Sequence, residues 1–451
     1  MSEREFDVVV IGAGAAGEVA AGRLGQKGFS VAIVEERLLG GECSYYACMP
    51  SKALLRPVEL TAEARRVRGV TVGEIDVPVA LARRDEVIHE LDDSSHVPWL
   101  EERNVTIVRA RGRLAGERRV RVGDDVLVAR RAVVIATGSH PFVPPVPGLA
   151  DARPWTNQEA TTAKKAPHRL FVLGGGVVGV EMAQAWAGLG SQVTLVHRGK
   201  RLIEREEPFA SEQVAGALAD SGVDLRLGAS PTSVSRNGVV LVELDDGSAV
   251  EADEILAAVG RRPTTGDLGL EEVGLEPGTH VPVDESLRVP GFDWLYAVGD
   301  VNGRVLLTHM CKYQARLAAD AIAGEQVRLR SDGLRSPRVI FTDPQVGAVG
   351  HTLAAAEQAG LRVRAVDVET GGNAGGSFIG KGAPGTARIV VDEERCVIVG
   401  ATFTGAEIGE SLHAATIAVI GEVPLGDLWH AVPAFPTRSE LWLRLLEAYG
   451  L

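Results

Sequence analysis

Cysteine is scarce in this 451-residue chain: there are four, two of them five positions apart and two isolated. So few thiols exclude a small secreted scaffold stapled by disulfides. Positive charge is in deficit as well. Forty-seven Lys and Arg against 60 Asp and Glu leave a net charge of −13, which argues against a nucleic-acid partner or attachment to an anionic membrane. No uninterrupted apolar stretch of about 18 residues occurs, so no transmembrane helix is expected. The N-terminus lacks a basic segment ahead of a signal-like apolar run; Val8–Ile11 is strand-sized and ends in glycines. No low-complexity tract interrupts the chain. What remains is the profile of a cytoplasmic enzyme of about three domains at roughly 150 residues each. Fifty-three glycines imply many tight turns or close backbone approaches.

The strongest internal signal is a repeat. Asp7-Val-Val-Val-Ile-Gly-Ala-Gly-Ala-Ala-Gly17 reads as a buried strand, a glycine turn and a helix start, and Leu170-Phe-Val-Leu-Gly-Gly-Gly-Val-Val-Gly179 reads the same way. A small-residue helix and a second apolar strand follow each, so the chain holds two βαβ openings of the doubly wound, dinucleotide-binding type. Gly12 allows the tight turn, Gly14 lets backbone approach a pyrophosphate, and Gly17 lets helix pack on strand. The pyrophosphate would sit at the helix N-terminus. Glu35, 23 residues after Gly12, can accept both ribose hydroxyls. In the second unit Gly174, Gly176 and Gly179 repeat the turn, but the same count of 23 lands on His197, followed by Arg198, Lys200 and Arg201. A basic cluster in place of the acid suits a 2′-phosphate, so NADP is expected over NAD; the plainer reading is a solvated basic loop. Pro-rich 141–149 connects the two units, 56–102 reads as helical, 105–135 as short strands with a hairpin, and a break near Arg335-Ser-Pro337 opens an α+β region.

The third signal is Cys43-Ser-Tyr-Tyr-Ala-Cys48. Five residues of regular helix rise about 7.5 Å, beyond the roughly 7 Å limit for a disulfide. A bridge here requires a distorted helix start, and a helix N-terminus favours thiolate. Two ordinary buried cysteines, or half a metal site, are the alternatives; no second Cys pair or nearby His supports a metal. Cys311 and Cys396 read as buried hydrophobes.

These residues together resemble the FAD-dependent pyridine nucleotide-disulfide oxidoreductases, the group of lipoamide dehydrogenase, glutathione reductase, mycothione reductase and mercuric reductase. The resemblance spans essentially the whole chain. It rests on Gly40-Gly-Glu-Cys-Ser-Tyr-Tyr-Ala-Cys-Met-Pro-Ser-Lys52, Ala136-Thr-Gly-Ser139, Val259-Gly-Arg-Arg-Pro263, Tyr296-Ala-Val-Gly-Asp300 and Phe341-Thr-Asp-Pro344. It implies an FAD domain formed by 1–147 and 266–332, an NAD(P) domain at 148–265 and an interface domain at 336–451, assembled as a homodimer. It implies FAD held by Gly12, Gly14, Gly17, Glu35, Gly41, Lys52, Ala136, Thr137, Gly138, Asp300, Leu307, Thr308 and His309. NADP would be held by Gly174, Gly176, Gly179, His197, Arg198 and Gly260. Cys48 would be the flavin-proximal thiol and Cys43 the thiol that attacks substrate. Lys52 would lie near the flavin with Glu181 as its partner.

The family's C-terminal stretch, His-x-His-Pro-Thr-x-Ser-Glu, reads here Pro433-Ala-Phe-Pro-Thr-Arg-Ser-Glu440. Phe435 stands where the acid–base His is expected, and Glu440 has lost the residue it would orient. Tyr45 and Tyr46 between the cysteines are unusual too. The expected activity is transfer of hydride from NADPH to FAD and on to the Cys43–Cys48 disulfide, then to a small disulfide or quinone-like acceptor. The alternatives are a quinone or dye reductase acting directly from the flavin, a lipoamide dehydrogenase, and a redox sensor without turnover.

Overall fold

The computed structural model describes residues 2–383 and 385–451. By internal packing the chain forms two units, Met1–Pro50 with Asp85–Phe142 and Gly260–Gly333, and Ser51–Arg84 with Val143–Val259 and Leu334–Leu451.

The first unit is built on Glu3–Ile11. This strand pairs in parallel with Val31–Glu35 on one side and Asp125–Ile135 on the other, with Val105–Arg109 beyond Val31–Glu35 and Leu295–Ala297 against Asp125–Ile135. Val8, Val9 and Val10 are all fully buried, as expected of a parallel strand covered on both faces. The helices Ala15–Gln26 and Thr308–Ile322 cover one face through Ala20, Leu24, Ala315 and Ala318. Arg119–Val122 and Asp125–Ile135 form the hairpin around Gly123 and Asp124.

The second unit repeats the plan. Arg169–Leu173 lies between Gln192–His197 and Glu254–Ala257, all parallel, and Asp224–Leu227 completes the sheet. A three-stranded antiparallel sheet over residues 231–252 packs beside it through Val234, Val240 and Val242. Residues 338–405 build a five-stranded antiparallel sheet. Its central strand Val397–Gly405 is buried along its whole length under the helices Leu412–Gly421 and Glu440–Tyr449. This is the α/β architecture with two doubly wound units and an α+β C-terminal domain. Cys311 is buried, but Cys396 is exposed at a φ of 52°, so its reading as a core hydrophobe is corrected: it occupies a turn.

In both units the glycine turn sits where the strand order reverses, at the carboxyl end of the central strand, the place where doubly wound sheets bind ligands. The turns are closed by backbone alone. A Cβ on Gly17 would lie 1.9 Å from Gly12 O, and one on Gly179 would lie 1.8 Å from Gly174 O. Neither can be relieved by turning a side chain, because the obstacle is a carbonyl. Gly179→Ala is therefore expected to lower unfolding stability by about 3 kcal/mol, read as a reduced denaturant midpoint, whereas Gly176→Ala, with open space around the new methyl, should leave it nearly unchanged.

Candidate active site

The first unit gathers most of the residues singled out above. A Cβ on Gly12, whose φ is 97°, would meet Ala136 O at 2.5 Å, and one on Gly41 would meet Gly14 Cα at 2.7 Å. The two glycine turns and the strand end at Ala136-Thr137-Gly138 thus interlock. Gly14 has open space on its Cβ side. Glu35 points into this turn: its Oε2 accepts Ala13 N–H at 2.7 Å and its Oε1 accepts Arg37 N–H at 2.8 Å. Burial pushes its carboxyl above the usual range, against the pull of those two N–H groups. Thr137 Oγ1 is shut from solvent with no hydrogen-bond partner among the described residues. An open cradle beside an unmatched hydroxyl, at the N-terminus of the 12-residue helix Ala15–Gln26, fits a bound dinucleotide.

Asp300 is fixed by Ser139, whose hydroxyl donates to Oδ2 at 2.6 Å. Gln314 Oε1 accepts Gly299 N–H at 2.9 Å and Asn302 Nδ2–H at 2.8 Å, tying this turn to the helix Thr308–Ile322. Arg261 donates to Ser139 and forms an ion pair with Glu42, next to Cys43. Neither Gln314 nor the Glu42–Arg261 pair was found from sequence; the adjacency of Glu42 to Cys43 and the Arg261-Arg262-Pro263 motif were the available signals.

The cysteines meet because the helix is broken. Gly41–Tyr45 and Cys48–Arg66 are separate helices, and Tyr46 between them has φ −134° and ψ 0°. Cys43 Sγ donates to Cys48 Sγ at 2.7 Å, and Thr308 Oγ1 lies 3.2 Å from Cys48 Sγ. The distorted start required by the spacing is present. The hydrogen bond to Cys48, together with burial, pushes the Cys43 thiol up. Cys48 is the first residue of a 19-residue helix, at the positive end of its dipole. Leu307 immediately precedes the helix Thr308–Ile322, and His309 is exposed in its first turn.

In the second unit Lys52 Nζ donates to Glu181 Oε2 at 2.7 Å, with the Glu181 side chain 4% exposed and that of Lys52 36%. Glu181 Oε1 accepts Phe341 N–H at 2.9 Å, and the ammonium lies 4.5 Å from the centre of the Phe341 ring. Gln184, one turn on, exchanges two hydrogen bonds with the Asp343 backbone. The pair is thus held between two helices and the segment that opens the C-terminal sheet.

The second glycine turn has open space at Gly176. His197 is half-buried. Its ring packs over Gly175, where a Cβ would lie 2.8 Å from Cγ, and burial keeps its pKa below the ordinary value. Arg198 and Lys200 are exposed, and Arg201 carries a buried Nη1 with no partner among the described residues. Gly260, at φ 133°, accepts Phe142 N–H at 3.0 Å in the first unit. At the C-terminus Phe435 is 77% exposed, while Glu440 is buried with Oε2 unpartnered among the described residues.

Comparison with known proteins decides the class. Residues 6–315 match the model described as pyridine nucleotide-disulphide oxidoreductase, and 336–445 match that family's dimerisation domain. The chain belongs to the pyridine nucleotide-disulphide oxidoreductase family. It is 31% identical to a dihydrolipoyl dehydrogenase of Chlamydia muridarum, covering 97% of this chain and 95% of that one. It is also 31% identical to a glutathione reductase of Burkholderia cepacia, covering 99% of each. Among solved structures, LpdA of Mycobacterium tuberculosis superposes with a TM-score of 0.87 at 25% identity over 100% of both chains. The HOCl-induced flavoprotein disulfide reductase RclA of Escherichia coli gives 0.87 at 25% identity, covering 98% of this chain and 99% of that one. This family member is accordingly an FAD-dependent NAD(P)H oxidoreductase of the disulfide reductase type, and it carries the dimerisation domain. Among the described residues no helix is long and apolar enough to cross a membrane, and no group of three metal-capable side chains occurs.

The Lys52–Glu181 pair yields a direct test. Glu181→Gln keeps the shape and the acceptor for Phe341 N–H but leaves the ammonium without a counter-ion. A loss of about 1–2 kcal/mol is expected, less than for a fully buried pair because Lys52 is partly solvated. Denaturant unfolding of Glu181→Gln, Lys52→Met and the double variant should show the double variant less destabilised than the sum of the singles.

Proposed function

We propose that this protein is a homodimeric, NADPH-dependent flavoprotein disulfide reductase in which Cys43 and Cys48 pass electrons to an acceptor whose leaving group needs no proton. One observation carries the reading: the two sulfurs are brought within 2.7 Å across a break between two helices, with the Thr308 hydroxyl against Cys48. In this proposal residues 1–147 and 266–332 hold FAD, 148–265 hold the nicotinamide nucleotide, and 336–451 form the dimer interface.

Bound in the first unit, FAD supplies a carrier that takes hydride from the nucleotide and delivers an electron pair to the disulfide. The chain's own residues do the rest. The Gly12–Gly17 turn and the helix behind it receive the pyrophosphate, Glu35 the ribose, and Asp300, held by Ser139, a hydroxyl of the ribityl chain. Lys52, neutralised by Glu181, places a positive charge for the flavin ring. Arg198, with Lys200 and Arg201, neutralises the 2′-phosphate of NADP.

In exchange with substrate, Cys43 gives up its proton to solvent and, as the thiolate, attacks one sulfur of a disulfide. A mixed disulfide forms, and the first substrate thiolate leaves with the electron pair of the broken S–S bond. Cys48 then attacks Cys43 Sγ, which re-forms the Cys43–Cys48 disulfide and expels the second thiolate. Each leaving thiolate needs a proton unless its own pKa is low. Phe435 has none to give, where the family carries a His. An aromatic or conjugated disulfide meets the condition. So does a quinone reduced at the flavin, a second reading favoured by the apolar, exposed Phe435.

Three measurements test this. NADPH should exceed NADH in kcat/KM, and Arg198→Ala should erode the preference by about 1.5–3 kcal/mol, the size of a charge-assisted hydrogen bond; equal use of NADH by the wild type would refute it. Turnover of alkyl disulfides should be slow beside that of aromatic disulfides, and Phe435→His should raise it by up to about 10²-fold without changing quinone reduction. Two-electron anaerobic reduction should produce long-wavelength absorbance that Cys48→Ser abolishes. Failure of that band in the wild type would favour direct reduction from the flavin.

A further inference from the structure

The chemistry above makes no use of Tyr45, yet the redox turn is built around it. Tyr45 ends the short helix Gly41–Tyr45 and is 1% exposed. Its hydroxyl donates to Asp92 O at 3.3 Å, and its ring lies 6.1 Å from that of His96 at an angle of 53°. His96 bonds through Nδ1 to Glu18 Oε1 at 2.7 Å. Its ring fills the space over Gly40, where a Cβ would lie 2.8 Å from Cε1. Asp93 accepts Leu39 N–H at 2.7 Å and pairs with Arg109. Residues 92–96 therefore grip the chain on both sides of Cys43: Leu39 and Gly40 before it, Tyr45 after it. Glu18, the anchor of the grip, stands in the first turn of the helix behind the first glycine turn.

We propose that Tyr45, seated on the His96–Glu18 pair, is a positioning residue that sets the thiol–disulfide equilibrium of Cys43 and Cys48. The inference rests on the reading that these two sulfurs are the working redox couple. A disulfide holds its sulfurs at about 2.05 Å, whereas two thiols are free to part. Holding the end of one helix rigid against the break at Tyr46 keeps the thiols close and raises their effective concentration toward each other. That favours the disulfide; loosening the grip favours the dithiol.

His96 gives the grip a pH dependence. The hydrogen bond to Glu18 raises its pKa against the effect of burial; Asp93 adds to the rise and Arg109 opposes it. Asp92, Asp93, Glu18 and Arg109 are also the charged groups that act on Tyr45. Because the folded pKa is raised, the charged pair is intact below the ordinary histidine value and is lost as pH climbs through the raised one.

The test equilibrates the FAD-loaded enzyme anaerobically in dithiothreitol buffers. There the disulfide and one dithiothreitol exchange to two protein thiols and the cyclic oxidised reagent. Alkylation and mass measurement then give the dithiol fraction for wild type, Tyr45→Phe and His96→Gln between about pH 6 and about pH 9. His96→Gln is expected to shift the equilibrium toward dithiol about tenfold at the acidic end, or about 30 mV, with the difference from wild type shrinking as pH rises. Tyr45→Phe should shift it the same way by about threefold at every pH, the effect of one hydrogen bond. Variants that titrate like wild type, or a His96→Gln difference that does not change with pH, would overturn the proposal. A wild type that forms no reversible Cys43–Cys48 disulfide would instead sink the redox reading itself, and this inference with it.

Discussion

Two sulfurs five residues apart cannot meet on one continuous helix, and much of the first unit follows from that constraint. The break at Tyr46 ends one helix and starts another. Its cost is that the short helix Gly41–Tyr45 has too few internal hydrogen bonds to stand alone. Tertiary contacts supply what is missing: Gly41 against Gly14, Glu42 against Arg261, Tyr45 against Asp92 and His96. The same contacts reach the glycine turn, the Ser139–Asp300 hydrogen bond and the helix Ala15–Gln26. The turn that carries Cys43 and Cys48 and the Gly12–Gly17 turn therefore share one backbone framework.

The second unit is organised by carboxylates taken out of water. Glu181, Glu206 and Glu207 are buried, and each is met by a cation: Lys52, Arg338 and Arg388. Arg66 pairs with Asp343 in the same region. Burying a charge is unfavourable unless a well-placed partner meets it, so these pairs restrict how residues 51–84, 143–259 and 334–451 pack within the unit.

Sequence made the repeated features plain, because glycine turns closed by backbone tolerate almost no variation. Gly12, Gly17, Gly174 and Gly179 were found from spacing, and the distances from a hypothetical Cβ to the nearest carbonyl oxygen, 1.8–1.9 Å at Gly17 and Gly179 and 2.4–2.5 Å at Gly12 and Gly174, explain why. The Lys52–Glu181 pair was legible only through resemblance, since 129 residues separate the partners. Contacts with no local pattern stayed hidden. Nothing in a single sequence brings His96 to Glu18, or Gln314 to Gly299. Glu35 was read as a ligand for ribose alone, but its carboxylate also holds Ala13 N–H and so is part of the turn. His197 was read as part of a basic cluster, and its ring packs over Gly175, where burial lowers its pKa.

The strands Ser139–Pro141 and Arg261–Pro263 pair antiparallel. The chain leaves the first unit at Phe142 and returns at Gly260, and those two residues are joined by a hydrogen bond of 3.0 Å. The 143–259 segment is therefore an insertion whose two ends emerge side by side from one ribbon. A segment attached in this way can be replaced as a cartridge without altering the path of the chain that surrounds Cys43 and Cys48. Residues 143–259 and the turn that carries Cys43 and Cys48 are then free to change separately. The limit on that freedom is the set of buried acid–base pairs, Glu181 with Lys52 and Glu206 with Arg338, that an incoming segment must match.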